Sequence, residues 1–346
     1  MADRDATLEF PFDEQVPDPG HTLEVAPGVH WLRMPLQGSP DHINLWLLED
    51  SDGWTAVDCG VTTPETIALW EQHFAFTLRG RPITRVLVTH FHSDHFGLAH
   101  WLCERWDAPL WMPQAEYLQG RLAQQPDGGN WGPLALAHLR RHGLADPELI
   151  ERLVARAGNY TRMVPAIPPW FRRIVDGDAI PVGAIEWVCI AGYGHAPEHM
   201  ALHARSSRLL IAGDMLLPRI SANVGVSWIE PEGDPLTRFR QSIERFRGLP
   251  PDTMVLPSHG RPFRGIATRL DQMQAHHAQR LEAVLEACAE PMSATDLLPV
   301  LFHRRLAPSQ VGLALNESLA HLNAQWHAGA LRRECGEDGV YRFVAV

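Results

Sequence analysis

Residues 90 to 95 read His-Phe-His-Ser-Asp-His, and no other stretch of the chain restricts its fold as much. The apolar run Val86-Leu87-Val88 reads as a short buried strand that ends directly in this segment. In a loop leaving a strand, alternation lets His90 and His92 point the same way while Asp94 and His95 turn toward a neighbouring position. Imidazole and carboxylate donors suit zinc, with iron or manganese as alternatives. The competing reading is a His-rich surface loop, since the chain carries 19 His in all.

Three later segments weigh against that competitor. Gly194-His195-Ala196-Pro197-Glu198-His199 follows a strand pattern at 186–191, Gly213-Asp214 follows one at 209–212, and Ser258-His259-Gly260 follows Thr253-Met254-Val255-Leu256. Each sets a ligand-type residue at the C-terminal end of a strand, where α/β folds gather their sites. Strands at 42–48 and 54–57, joined by the turn Asp50-Ser51-Asp52-Gly53, precede a helix opened by Thr63-Pro64-Glu65. The alternation of strands and helices predicts an α/β layered sandwich.

With these motifs in this order, residues 25 to 265 resemble the metallo-β-lactamase-fold hydrolase superfamily. The resemblance implies an αββα sandwich holding two divalent metal ions. It implies that His90, His92 and His195 bind one ion, that Asp94, His95 and His259 bind the other, and that Asp214 bridges them. Asp58, in Val-Asp-Cys-Gly, matches the family's Asp that orients a histidine ligand without touching metal; the competing reading is a turn residue after a strand. His199 matches a histidine the family does not use as a ligand. His73, His100, His138, His142, His276, His277 and His303 match no motif and read as surface or helix-packing residues.

Two divalent ions about 3.5–4 Å apart can share a water whose pKa falls toward ~7, so a metal-bound hydroxide would be the nucleophile. No side-chain nucleophile competes: Gly-x-Ser-x-Gly is absent and no Cys adjoins the His motifs. The expected reaction is hydrolysis. The bridging Asp214 resembles glyoxalase II-type thioesterases, acyl-homoserine lactonases and the superfamily's nucleases more than true β-lactamases, which would carry a Cys or no bridging carboxylate there. In the lactonases a Tyr lies three residues past the bridging Asp; here that position is Leu217. A thiolate, with a pKa near ~8.5, leaves without a general acid, so a thioester is the easier substrate. A lactonase or esterase, or a metallo-endoribonuclease, is the alternative.

The stretch from 112 to 175 reads as a helical, Pro-broken insert holding Trp131, Tyr160, Trp170 and Phe171. It carries eight Arg against five acids, a net of +3 in a chain of -11. Arg favours phosphate and carboxylate, so a small anionic thioester such as an acyl-CoA or acyl-glutathione conjugate fits, although helix-surface Arg and a packed aromatic lid would read the same way. All 30 basic residues of the chain are Arg.

Residues 1–27 read as an extended N-terminal arm, 28–265 as the hydrolase domain, and 266–346 as a winged-helix-like module of three helices and a hairpin. A similar module follows the hydrolase domain in single-domain endoribonucleases of the superfamily. Here residues 268–346 carry seven Arg and nine acids, and 308–329 has no Arg, which argues against nucleic acid. Packing on the hydrolase domain, shaping the pocket rim or forming a homodimer remain as its roles. The five Cys form no C-x-x-C pair, the first residues show no apolar leader, and no apolar run reaches ~18 residues. A cytoplasmic protein without a membrane span is expected.

Overall fold

Two sheets pack face to face in the computed structural model, which describes residues 7–125, 132–156, 158–303 and 305–346. Trp131 lies outside the described residues. The first sheet holds β1 (Leu23–Ala26), β2 (Val29–Pro35), β3 (His42–Glu49), β4 (Trp54–Val57), β5 (Ile83–Leu87), β6 (Leu110–Met112) and β7 (Arg172–Arg173), side by side in that order. Its pairs run antiparallel from β1 to β4 and parallel from β4 to β7. The second holds β8 (Ala179–Val182), β9 (Ile185–Gly192), β10 (His199–Ala204), β11 (Leu209–Gly213) and β12 (Met254–Pro257), ordered β12-β11-β10-β9-β8. Only β11 and β12 are parallel there.

Strand alternation explains the layering. On β2 and β3, Trp31 and Trp46 face the second sheet, while Leu32, Leu45 and Leu47 face outward under helices. The inter-sheet core joins Trp31, Trp46, Val57 and Leu87 to Trp187, Met200, Leu202, Ile211 and Leu256. The outer face of the first sheet is covered by α1 (Pro64–Phe76), the one-turn α2 (Ser93–Phe96) and α3 (Ala99–Trp106), through Leu69, Trp70, Phe96 and Leu102. Thr63 caps α1 by accepting the Thr66 N–H at 3.0 Å, with Pro64 at the position where an N–H is unused.

The insert forms α4 (Gln114–Ala123), α5 (Pro133–Arg141), α6 (Pro147–Val154) and α7 (Asn159–Met163). On the far side, α8 (Pro235–Glu244) lies over the second sheet, and α9 (Ile266–Ala287), α10 (Leu298–Leu301) and α11 (Pro308–His327) follow, closed by the hairpin β13 (Leu331–Cys335) and β14 (Tyr341–Ala345). The residues from 266 onward do not build a core of their own. Leu270, Met273, Leu315, Leu319 and Phe343 share one apolar cluster with Leu210 and Ala212 of β11 and with Phe239 and Ile243 of α8.

Two expectations change. Within the described part of the expected arm, Leu23–Ala26 is the edge strand β1, and Glu9 pairs with Arg264. The arm's acidic, Pro-rich composition hid a four-residue strand that draws its pairing from β2. The three-helix reading of 266–346 also shortens: Ser293 and Asp296 bond reciprocally, Ser293 N–H to Oδ2 at 2.9 Å and Asp296 N–H to Oγ at 3.3 Å, and the middle helix that follows, α10, is a single turn. No helix among the described residues is long and apolar enough to cross a membrane.

Candidate metal centre

The loop after β5 and the ends of β9, β11 and β12 converge at one edge of the sandwich. They bring together all seven residues that the motifs single out: His90, His92, His195 and Asp214 in one group, Asp94, His95 and His259 in another. His90 Nε2 lies 2.9 Å from His92 Nδ1 and 3.2 Å from His195 Nε2. Asp214 divides its carboxylate between the groups. Oδ2 sits 3.2 Å from His195 Nε2, and Oδ1 sits 3.6 and 3.5 Å from the Nε2 atoms of His95 and His259. Asp94 Oδ2 completes the second group, 3.7 Å from His95 and 3.4 Å from His259.

Those separations fit a cation better than they fit hydrogen bonds. A tetrahedral ion with bonds of about 2.0–2.1 Å keeps its ligand atoms about 3.3 Å apart. His95 Nε2 and Asp214 Oδ1 are buried with no hydrogen-bond partner, a costly arrangement unless something positive lies between them. Burial pushes the His92 imidazole down to about 3 and holds His90 well below its ordinary value, with the surrounding imidazoles adding to the effect. Neutral imidazole is the form that ligates. The donor set fits two divalent ions.

The nitrogens facing away from the cluster are held as well. His95 Nδ1 donates to Asp58 Oδ2 at 2.8 Å, His195 Nδ1 to the Asn223 carbonyl at 2.8 Å, and His259 Nδ1 to the His42 carbonyl at 2.7 Å. His90 Nδ1 meets Thr89 Oγ1 at 3.0 Å, and that hydroxyl donates to Asp58 Oδ2 at 2.9 Å. Asp58 therefore supports two histidines, one in each group. It does so from a left-handed backbone conformation (φ 61°) at the end of β4, fixed by its N–H to Leu87 O. His199, outside the cluster, accepts the Asp214 N–H at 3.2 Å. Gly213 makes that possible: at φ 53° a Cβ would lie 2.1 Å from His199 Nε2.

Glu116 was not singled out by the sequence. On α4, with no exposure, it accepts the Phe91 N–H at 2.9 Å and the Glu198 N–H at 2.5 Å, tying the His90–His92 loop to the His195–His199 loop. Burial pushes its carboxyl up to about 7 against the pull of those two donors. Tyr160 of α7 covers the same loop, its hydroxyl donating to Phe91 O at 2.7 Å. Thr89, Asn223 and His42 were missed too. Two of the three act through main-chain carbonyls, which leave no mark in a motif.

The family whose description reads Metallo-beta-lactamase superfamily matches residues 38–259. The chain belongs to the metallo-beta-lactamase superfamily. A second match, Metallo-beta-lactamase-like, C-terminal domain, covers residues 281–346. Among solved structures, this superfamily member is similar to a beta-lactamase domain protein from Burkholderia ambifaria, at 50% identity and TM-score 0.93 over 98% of each chain. It is 26% identical to the probable metallo-hydrolase YqjP of Bacillus subtilis, over 84% of this chain and 90% of that protein. A hydroxyacylglutathione hydrolase of Fuscovulum blasticum shares 29% identity over 42% of this chain, which spans about half (54%) of that relative. The protein is a metallo-hydrolase of this superfamily with an αββα fold.

The insert's side chains divide. Phe171 stacks on Tyr117 with ring centroids 4.1 Å apart, and Trp170 is exposed. Seven of the eight Arg are exposed; Arg141 bonds Tyr341 and Arg172 lies over Trp111.

Proposed function

We propose that the protein is a dinuclear, zinc-dependent hydrolase acting on a small anionic thioester of the acyl-CoA or acyl-glutathione type. The observation that carries the dinuclear reading is Asp214, whose two carboxylate oxygens face two separate groups of donors. In this reading His90, His92, His195 and Asp214 hold one ion, and Asp94, His95, His259 and Asp214 the other. When bound, the pair lowers the pKa of water and stabilises negative charge on the attacked carbonyl.

The chain's own residues set the geometry for that chemistry. Asp58, the Asn223 carbonyl and the His42 carbonyl hold their histidines with Nδ1–H turned away, so that Nε2 offers its lone pair to the cluster. Phe91 and Ala196 are nearly buried beside Tyr160, an apolar wall next to the donors that limits water. Asp94 remains the most exposed of the second group's donors, so the open side of the cluster lies there.

Two observations support the thioester. Among the described residues no cysteine joins the His/Asp groups, so no thiol nucleophile competes with water. Leu217 is buried and lends only its carbonyl, to Arg269 at 2.5 Å, so it supplies no hydroxyl where the lactonases have a Tyr. The hydroxyacylglutathione hydrolase relatives add weight on the acyl-thiol side. Purified protein loaded with zinc, iron or manganese and assayed on acyl-CoA, acyl-glutathione, lactone and RNA, with metal measured on the same sample, tests the reading. Turnover confined to the thioesters is expected; cleavage of RNA or lactone alone would overturn it.

A further inference from the structure

His195 reaches the C-terminal segment through a short chain of contacts. Its Nδ1 donates to the main-chain carbonyl of Asn223 at 2.8 Å, in the loop that follows Asp214. The Asn223 side chain donates in turn to Glu317 Oε2 at 3.1 Å, on α11. The other Glu317 oxygen accepts from Arg280 of α9, whose guanidinium also bonds Leu301 O at 3.2 Å and lies over the Phe302 ring at 4.9 Å. Val226 N–H donates to Asn316 O at 3.0 Å, so the loop is fastened to α11 at two points three residues apart. Close approach is part of the fit: a Cβ on Gly225 would lie 2.8 Å from Asn316 Cβ.

We propose that Glu317 and Arg280 are positioning residues for the hydrolase site, fixing the carbonyl of Asn223 and through it the ring of His195. The proposal rests on His195 being a metal ligand. An ion pair at this depth is a costly device if stability alone is served, because two charges lose water to make it. Both side chains are less than one-fifth exposed. Arg269 holds the start of this loop at Leu217 O and Ile220 O; the pair adds the tie at Asn223 itself, where a displaced carbonyl would let the imidazole turn. The C-terminal segment then completes the site without touching it.

The test uses the full chain: wild type, Asn223→Ala, Glu317→Gln and Glu317→Leu. Zinc stoichiometry and affinity are read by competition with a chelator, alongside thermal melting of the metal-free proteins. Asn223→Ala keeps the carbonyl that His195 uses and removes only the tie to Glu317. Asn223→Ala and Glu317→Leu are expected to hold one of two zinc ions ~10-fold more weakly, the low end of what loss of a ligand's partner costs. Glu317→Gln, still able to accept from Asn223, is expected to recover most of that affinity. A purely structural role would lower the melting temperature and leave both affinities unchanged, which would overturn the proposal. Should Glu317→Leu fail to fold, Asn223→Ala decides alone. If wild type itself takes up no divalent ion, the reading of the site fails, a different outcome from intact binding in the variants.

Discussion

Asp214 and Glu116 are both buried carboxylates, and they do opposite work. Asp214 turns its oxygens toward donors that need a cation between them, so Asp214→Asn keeps its volume and loses the charge. It should bind at most one metal ion per chain and lose at least ~100-fold in kcat, the scale for removing one electrostatic contact at a reacting centre. Metal analysis and turnover on one sample check both. Glu116 faces main-chain N–H groups instead. Glu116→Ala strands two buried donors at about 1–3 kcal/mol each, so stability should fall by about 2–6 kcal/mol. A urea midpoint measures it. Asp214 was legible in the sequence because Gly-Asp follows an apolar strand run in a fixed place among the His motifs. Glu116 was not, since a single Glu in a helical insert carries no spacing signal and its partners are 25 and 82 residues away.

At the scale of elements, the period-two and helical patterns were readable wherever an element had one wet face. The helix opened at Thr63-Pro64-Glu65 and the closing hairpin appear where the patterns put them. The pattern failed at β1, which is short and takes its order from its neighbour. Helix α9 also carries a polar surprise. His277 is buried against Phe239 of α8 and His321 of α11, near Ser221, Arg240, His276 and Arg280, and burial holds it down at about 3. Above pH 6.5 the ring is neutral folded and unfolded, and adds no pH dependence. Below it the unfolded chain takes a proton that the fold refuses. Stability should therefore fall from pH 6.5 toward pH 3, by up to ~1.4 kcal/mol per pH unit for this group. Denaturation midpoints across that range should show a shallower slope in His277→Met than in the wild type.

For the whole molecule, the division at residue 265 is one of sequence more than of packing. The cluster that joins Phe239 and Ile243 to Leu270, Leu315 and Phe343 would be cut open by truncation there. A chain ending at 265 should aggregate or bind a hydrophobic dye, whereas a self-sufficient hydrolase domain would stay monomeric and melt cooperatively; light scattering and calorimetry separate the two. Why residues 266–346 pack this way was invisible in charge and periodicity, because an apolar helix face does not name the surface it covers.

The seven cluster residues are spread from position 90 to position 259, and the loop beside them leans on Glu317. A ribosome making this chain produces four of the seven before any strand of the second sheet, His195 after two of its five strands, Asp214 after four and His259 after all five. Until Asp214 is made neither donor group is complete. In the two-ion reading, a complete set of donors and their supports therefore exists only once the segment carrying Glu317 has been made.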